Sequence, residues 1–271
     1  MYSDDFMRAL LALLCLAPQD GTVAPSQAIP LFNGKDLSGW TTWLVDSKRD
    51  DPRGVYSVRD GMIRISGDGF GYLATEKGYR DYRMVVEFKW GRKNWQGREK
   101  NGRDSGLFLH SVGPDGNSVD GKGAFRCAIE CQVMQGRVGD LMLIKGKDEA
   151  GKPIPVGFTA ETAPGRDREG WPTWKKGGEK LALSQTGRLN WWGIDADWKD
   201  ALDFRGKADV ESAGEEWTKV ECVCEGRRIS VSVNGIKVNE ATDCAPQAGR
   251  ILLQCEGSEI FFRKVELHPL R

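Results

Sequence analysis

Apolar and polar residues alternate in short runs along most of this chain. That two-residue period is the signature of β-strands with one face turned inward. It predicts strands at Trp40–Val45, Val55–Arg59, Met62–Ser66 and Tyr72–Thr75, punctuated by Gly-rich turns. Asp60-Gly61 between two of these runs predicts a tight hairpin. Tyr82–Trp90 is longer, with Val86, Phe88 and Trp90 on one face and Glu87 and Lys89 on the other. Ser105–His110, Arg126–Met134 and Leu141–Ile144 follow. The C-terminal part reads Trp217–Cys224, Arg228–Val233, Ile236–Val238, Gly249–Cys255 and Ile260–Leu267, with Asn234-Gly235 as its strongest turn signal. Helical periodicity is nearly absent. The pattern predicts an all-β sandwich or jelly roll of two antiparallel sheets.

Residues 147–214 interrupt the pattern. They are rich in Gly, Pro and charge, and hold Trp171, Trp174, Trp191, Trp192 and Trp198, half of the ten tryptophans. A loop of that length inside a compact domain is expected to be functional. It is read as an ordered, Trp-rich insertion folded over the sandwich, with one short helix at Asp197–Leu202. Trp191-Trp192 is expected to plug the insertion's core or, alternatively, to offer a sugar platform.

The N-terminus is set apart. Ala9–Ala17 is an apolar run behind Arg8, too short to span a bilayer and shaped like the core of a secretory signal. Residues 1–28 are read as a signal peptide cleaved after Ala28, and residues 29–271 as one domain. Export to the periplasm or the outside is the expectation, with no membrane insertion of the mature protein. The chain has 39 basic and 39 acidic residues, so no net charge steers it to nucleic acid. The basic run Arg92–Arg103 is read as a solvated hairpin tip. Seven cysteines and two histidines match no zinc spacing. The cysteines alternate with apolar residues, as small core hydrophobes do.

Candidate chemistry gathers on one strand. In AIECQVM the face of Cys127, Ile129, Cys131 and Val133 is apolar, and the opposite face carries Glu130 and Gln132. ILLQCEG repeats the asymmetry with Gln254 and Glu256 opposite Ile251, Leu253 and Cys255. Gly136–Asp140 leaves Glu130's strand and is expected to bring Asp140 to the rim of a groove. Ser105 and His110 fall on opposite faces of their strand, which argues against a Ser-His pair.

At these residues the sequence resembles the 3-keto-disaccharide hydrolase family, long carried as a domain of unknown function. LFNGKDLSGW, VYSVRDGMIRISGDGFGYLATEKGYRDYRMVVEFKW, RDSGLFLH, IECQV, GRVGD, EEWTKVECVCEGRRISVSVNGIKVNE and GRILLQCEGSEIFFRKVELHPL occur in the family's order. The resemblance implies a concanavalin-like jelly roll, export, and action on glycosides oxidised at C3. The family's Glu-x-Gln falls on Glu130 and Gln132. Its Asn-Ser-Gly reads Asp104-Ser105-Gly106, and an Arg frequent in the family is His110 here.

The expected chemistry is general acid–base catalysis by carboxylates. Glu130 is the candidate base and Asp140 or Glu256 the candidate acid. Gln132, Gln254, His110, Asp104, Trp191 and Trp192 are the candidate substrate-binding residues. No cofactor is expected; a divalent cation on Glu130 and Asp140 is the alternative, as is ordinary hydrolysis by paired carboxylates. A non-catalytic carbohydrate-binding module is the competing function.

Overall fold

A computed structural model describes residues 21–95 and 97–270; the expected signal core at Ala9–Ala17 lies outside them. Seventeen strands follow one another: β1 (Ile29–Pro30), β2 (Trp40–Leu44), β3 (Tyr56–Arg59), β4 (Met62–Ile65), β5 (Phe70–Thr75), β6 (Tyr82–Asn94), β7 (Asp104–Val112), β8 (Cys127–Met134), β9 (Leu141–Ile144), β10 (Gly157–Thr162), β11 (Glu179–Ser184), β12 (Arg188–Leu189), β13 (Thr218–Glu225), β14 (Arg228–Val233), β15 (Ile236–Ala245), β16 (Arg250–Glu256) and β17 (Ser258–Pro269). Both predicted hairpins form. Asp60 and Gly61 (φ 51° and 72°), like Asn234 and Gly235 (φ 48° and 83°), take the left-handed conformations that a two-residue hairpin turn needs.

The strands form an all-β jelly-roll sandwich of two antiparallel sheets. One sheet runs β11-β10-β15-β14-β13-β6-β17-β4-β3, with β1 also on β17; the other runs β12-β9-β8-β7-β16-β5-β2. The core between them takes Phe88, Val220 and Phe262 from the larger sheet, and Leu107, Ile129, Cys131 and Leu253 from the smaller. The six described cysteines are free and buried, and pack as small apolar groups. A second apolar cluster, with Tyr72, Phe108, Phe125, Ala128 and Leu252, covers part of the smaller sheet's outer face.

The insertion extends both sheets. β10 and β11 add to the larger sheet beyond β15, and β12 adds to the smaller beyond β9. Phe158, Trp174, Leu189 and Trp191 enter the main core. The helix expected at Asp197–Leu202 does not form. The Leu202 amide donates to the Lys100 carbonyl instead, and the Asp200 carboxylate accepts from Gly102 N and Asn101 Nδ2. Long-range partners outweigh a helix turn too short to hold itself. At the other end, packing reaches back before residue 29: Val23 N donates to the Gly78 carbonyl, and the Val23 carbonyl accepts from Arg80 N. No helix of the described residues is long and apolar enough to cross a membrane.

One irregularity moves a candidate residue. The β7–β8 register slips between Leu109 and Val112, and His110 adopts φ 55°. Such a bulge reverses the alternation of faces. His110 therefore turns into the core, edge-on to Tyr82 at 5.4 Å between ring centroids. It shares the face of Ser105 after all, but the two do not pair: the Ser105 hydroxyl donates to the Gln254 carbonyl, and His110 Nδ1 meets the Pro246 carbonyl at 3.2 Å.

Candidate active site

The three central strands β8, β7 and β16 lie side by side, and their outward residues come into line. Glu130 stands opposite Phe108, and Gln132 opposite Gly106. On β16, Leu252 stands opposite Phe108, which places Gln254 two residues further along the same face. Gly106 is the bare patch of floor between them. A Cβ there would lie 2.1 Å from Glu130 Oε1 and 2.9 Å from Gln254 Oε1, so both oxygens hang over glycine backbone. A cavity of about 330 Å³ opens above, with Asp104, Glu130, Gln132, Gln254 and Glu256 in its lining. Its walls include Trp171 and Arg188 from the insertion, and Phe125 and Lys145 from the other side.

The cavity's carboxylates differ in how they are held. Asp104 is fully engaged: Oδ1 accepts from Gln132 Nε2 at 2.7 Å, Oδ2 from Arg98 Nη2 at 3.1 Å, and its amide donates to Ser258 Oγ at 2.9 Å. It is a support for Gln132. Burial, with Glu256 nearby, still holds its pKa well above the ordinary range. Glu130 is only 2% exposed, and its Oε1 has no partner. Burial first, then the charges of Glu256 and Asp104, push its pKa well above the ordinary value, against the pull of Arg188. Glu130 therefore holds its proton more tightly than an ordinary carboxyl does. Glu256 is partly exposed; burial raises its pKa to about 7, while Arg98 and Arg188 restrain it. Two acidic groups with raised proton affinities, one buried and one partly exposed, line one cavity, and such a pair can serve acid–base chemistry.

The remaining candidates lie elsewhere. Asp140 is fully buried behind the cavity and not at its rim. Its Oδ1 accepts from Trp191 N at 2.7 Å, its Oδ2 stands 3.3 Å from Arg137 Nη1 and 4.0 Å from Arg188 Nε. The Gly136–Asp140 turn folds inward because Arg137, stacked 3.8 Å over Trp198, draws Asp140 to itself. A cation shared by Glu130 and Asp140 therefore has no common opening to occupy. Among the described residues, no group of three His, Cys, Asp or Glu side chains stands as a metal site. Trp191 is a core plug, 1% exposed, with its indole N–H on the Gly136 carbonyl; Trp192 is exposed and bonded to the Lys237 carbonyl. Neither lines the cavity. Nor does His110, whose pKa burial lowers to about 4, so that it is a neutral core imidazole.

The residues that sequence reasoning passed over are Trp171, Arg188, Lys145 and Arg98. Trp171 is the insertion's cavity-facing tryptophan, its amide fixed to Asp167 Oδ1 at 2.8 Å. Arg98 belongs to the basic run read as a solvated tip, yet it reaches inward to Asp104. No local pattern marks either one, because partners distant in sequence decide where they point.

Comparison with known proteins places this geometry. No curated protein matches the chain. Among solved structures, a protein from Parabacteroides distasonis assigned provisionally as a glycosyl hydrolase is 18% identical, with 90% of this chain and 94% of that one covered and a TM-score of 0.48. A Bacillus licheniformis β-glucanase is 12% identical over 90% of this chain and 99% of that one, at 0.45. A carbohydrate-binding module from Bacillus subtilis is 12% identical over 84% and 94%, also at 0.45. These likenesses are too distant to assign a role. The sequence profile of one family, by contrast, matches residues 27–268 and so reaches every strand of the sandwich. The chain belongs to the family of 3-keto-α-glucoside-1,2-lyase-like domains.

Proposed function

We propose that the protein is an exported enzyme that cleaves 3-keto-glycosides by elimination across C1 and C2. The observation that carries this reading is one cavity of about 330 Å³ lined by both a buried Glu130, whose Oε1 has no partner and whose proton affinity burial raises, and a partly exposed Glu256 with a pKa raised to about 7. A ketone at C3 acidifies the C2 proton. Glu256, as carboxylate, takes that proton, and the C2–H electrons pass to the C3 oxygen as an enolate. The enolate then re-forms the carbonyl, a C1–C2 double bond appears, and the C1–O bond breaks. Glu130 gives its proton to the departing oxygen. The products are an alcohol or sugar and an unsaturated 3-keto sugar; water adding back across the double bond completes a net hydrolysis. These roles exchange those expected from sequence, where Glu130 was the base. The exchange follows from burial: the deeper carboxyl keeps its proton. Gln132 and Gln254 bind hydroxyls, and Trp171 offers a ring face to the sugar.

The test is turnover of p-nitrophenyl 3-keto-α-glucoside, together with ligand affinity measured by calorimetry. Glu130→Gln and Glu256→Gln should each lower kcat about 10²–10⁴-fold and leave affinity within a few fold. A wild-type protein that binds such sugars but never cleaves them would be a carbohydrate-binding module instead.

A further inference from the structure

Arg188 is the cavity's under-used cation. It sits on the two-residue strand β12, opposite Met142 of β9, and its side chain is 14% exposed. Its Nη2 donates to Met142 Sδ, a weak acceptor, at 2.9 Å. Its Nε is buried and has no hydrogen-bond partner. The carboxylate closest to it in the structure, Asp140 at 4.0 Å, is already occupied by Trp191 N and Arg137. The other cationic groups of this region each have a carboxylate partner, although Arg98 Nε, like Arg188 Nε, has no hydrogen-bond partner of its own. Lys145 pairs with Asp120 at 3.0 Å, and Arg98 with Asp104. A guanidinium has five N–H donors in a planar fork, and one that lines a cavity with most of them unspent is built to meet an acceptor oxygen. Arg188 also faces Asp104, Glu130 and Glu256 closely enough to act on the charge of all three. It therefore lies on the same opening as the acid and the base.

We propose that Arg188 holds the C3 oxygen of the substrate and takes up the negative charge that develops there when C2 loses its proton, with Asp140 as the positioning residue behind it. This rests on the elimination reading above. An enolate in a largely buried cavity is best stabilised by a donor already aimed at its oxygen, which needs no reorganisation as the charge develops. The buried Asp140 keeps the guanidinium's Nε side toward the wall, which leaves its remaining N–H groups for the cavity. Removal of Arg188 would thus slow formation of the enolate, not binding of the sugar.

The experiment measures exchange of the C2 proton of methyl 3-keto-α-glucoside in D₂O, beside kcat and KM on the p-nitrophenyl substrate. Arg188→Met should lose about 10²–10³-fold in kcat and in exchange rate, with KM within about three-fold. Added guanidinium should restore part of the rate in Arg188→Ala, which a merely structural defect would not allow. Arg188→Lys, which keeps the charge and loses the fork, should fall between wild type and Arg188→Met and guards against misfolding of the apolar variant. Asp140→Asn should lower kcat about ten-fold alone and add nothing to Arg188→Met. Wild-type protein that neither cleaves nor exchanges would remove the elimination reading, and this role with it. Active wild type with unchanged Arg188→Met, or a loss confined to KM, would overturn the arginine's role alone.

Discussion

Two strands of this molecule are spelled almost alike. β8 contains Ile129-Glu130-Cys131, and β13 contains Val220-Glu221-Cys222. In both, the apolar residue and the cysteine enter the same core from opposite sheets, and the glutamate points outward. The glutamates then part company. Glu221 accepts from Arg83 Nη1 at 2.9 Å and meets Lys219 Nζ at 2.9 Å; partial burial works against it, but these two cations hold its pKa below the ordinary value. Glu130 has no cation bonded to it, and burial raises its proton affinity well above the ordinary value. The cause is what covers each sheet. β13 alternates buried and half-buried positions, so its outer face is wet, whereas all eight positions of β8 are buried. Phe125 and the insertion's Trp171 and Arg188 rise over β8 and enclose a cavity in place of bulk water. Nearly the same local word thus gives a solvated ion pair on one sheet and an enclosed carboxyl with no cation bonded to it on the other.

The sharpest way to break this comparison is to neutralise both glutamates in turn. Glu130→Gln should cost at least two orders of magnitude in kcat on a 3-keto-α-glucoside, and Glu221→Gln should leave kcat within two-fold. Equal losses would mean that enclosure does not separate the two strands. Next in size is the floor beneath Glu130. Gly106→Ala places a methyl group 2.1 Å from Glu130 Oε1, so the carboxyl must move. Activity should fall about ten- to hundred-fold, with a stability loss of about 1–3 kcal/mol from overpacking, read by denaturant unfolding. An Ala variant with full activity would show that Glu130 does not work from this position.

Much of this fold was legible because two-residue alternation and turn chemistry are local. The hairpins at Asp60-Gly61 and Asn234-Gly235 and most strand limits follow from them. Glu130, Gln132, Gln254 and Glu256 were legible as a set because alternation alone places them on outer faces, and neighbouring strands then bring them together. What escaped depends on partners far along the chain. His110 turned inward through a bulge no spacing announces. Asp140 was claimed by Arg137 and the Trp191 amide. β11 was hidden because its residues are mostly exposed and alternate weakly. Arg188 sits on a strand of two residues, too short to carry any period.

Enclosure also sets how the site answers pH. The base must be ionised, so kcat/KM should rise as Glu256 titrates at about 7. The acid must be protonated, so the rate should fall again above the raised pKa of Glu130. A profile flat from pH 6 to 8 would rule out Glu256 as the base.

The smallest effect tests the same contrast through stability. Glu256 binds its proton more tightly folded, at about 7, than at its ordinary 4.5. Its contribution is therefore fully present below pH 4.5 and lost as pH rises through about 7. Above that range the folded protein holds a partly buried charge that the unfolded chain would solvate. Glu256→Gln removes that charge, so it should be more stable than wild type at pH 8, by about 1–3 kcal/mol, and closer to it at pH 4. Glu221 has the opposite sign: its pKa is lowered, so its contribution is present above its ordinary value and lost in acid. Its two ion pairs are largely solvent-screened, so Glu221→Gln should cost under about 1 kcal/mol at pH 8. Thermal melts of both variants at pH 4 and pH 8 measure the two signs directly. If both glutamine variants were less stable than wild type at pH 8, the cavity would not be holding Glu256 against its ionisation, and the division between the two sheets would rest on shape alone.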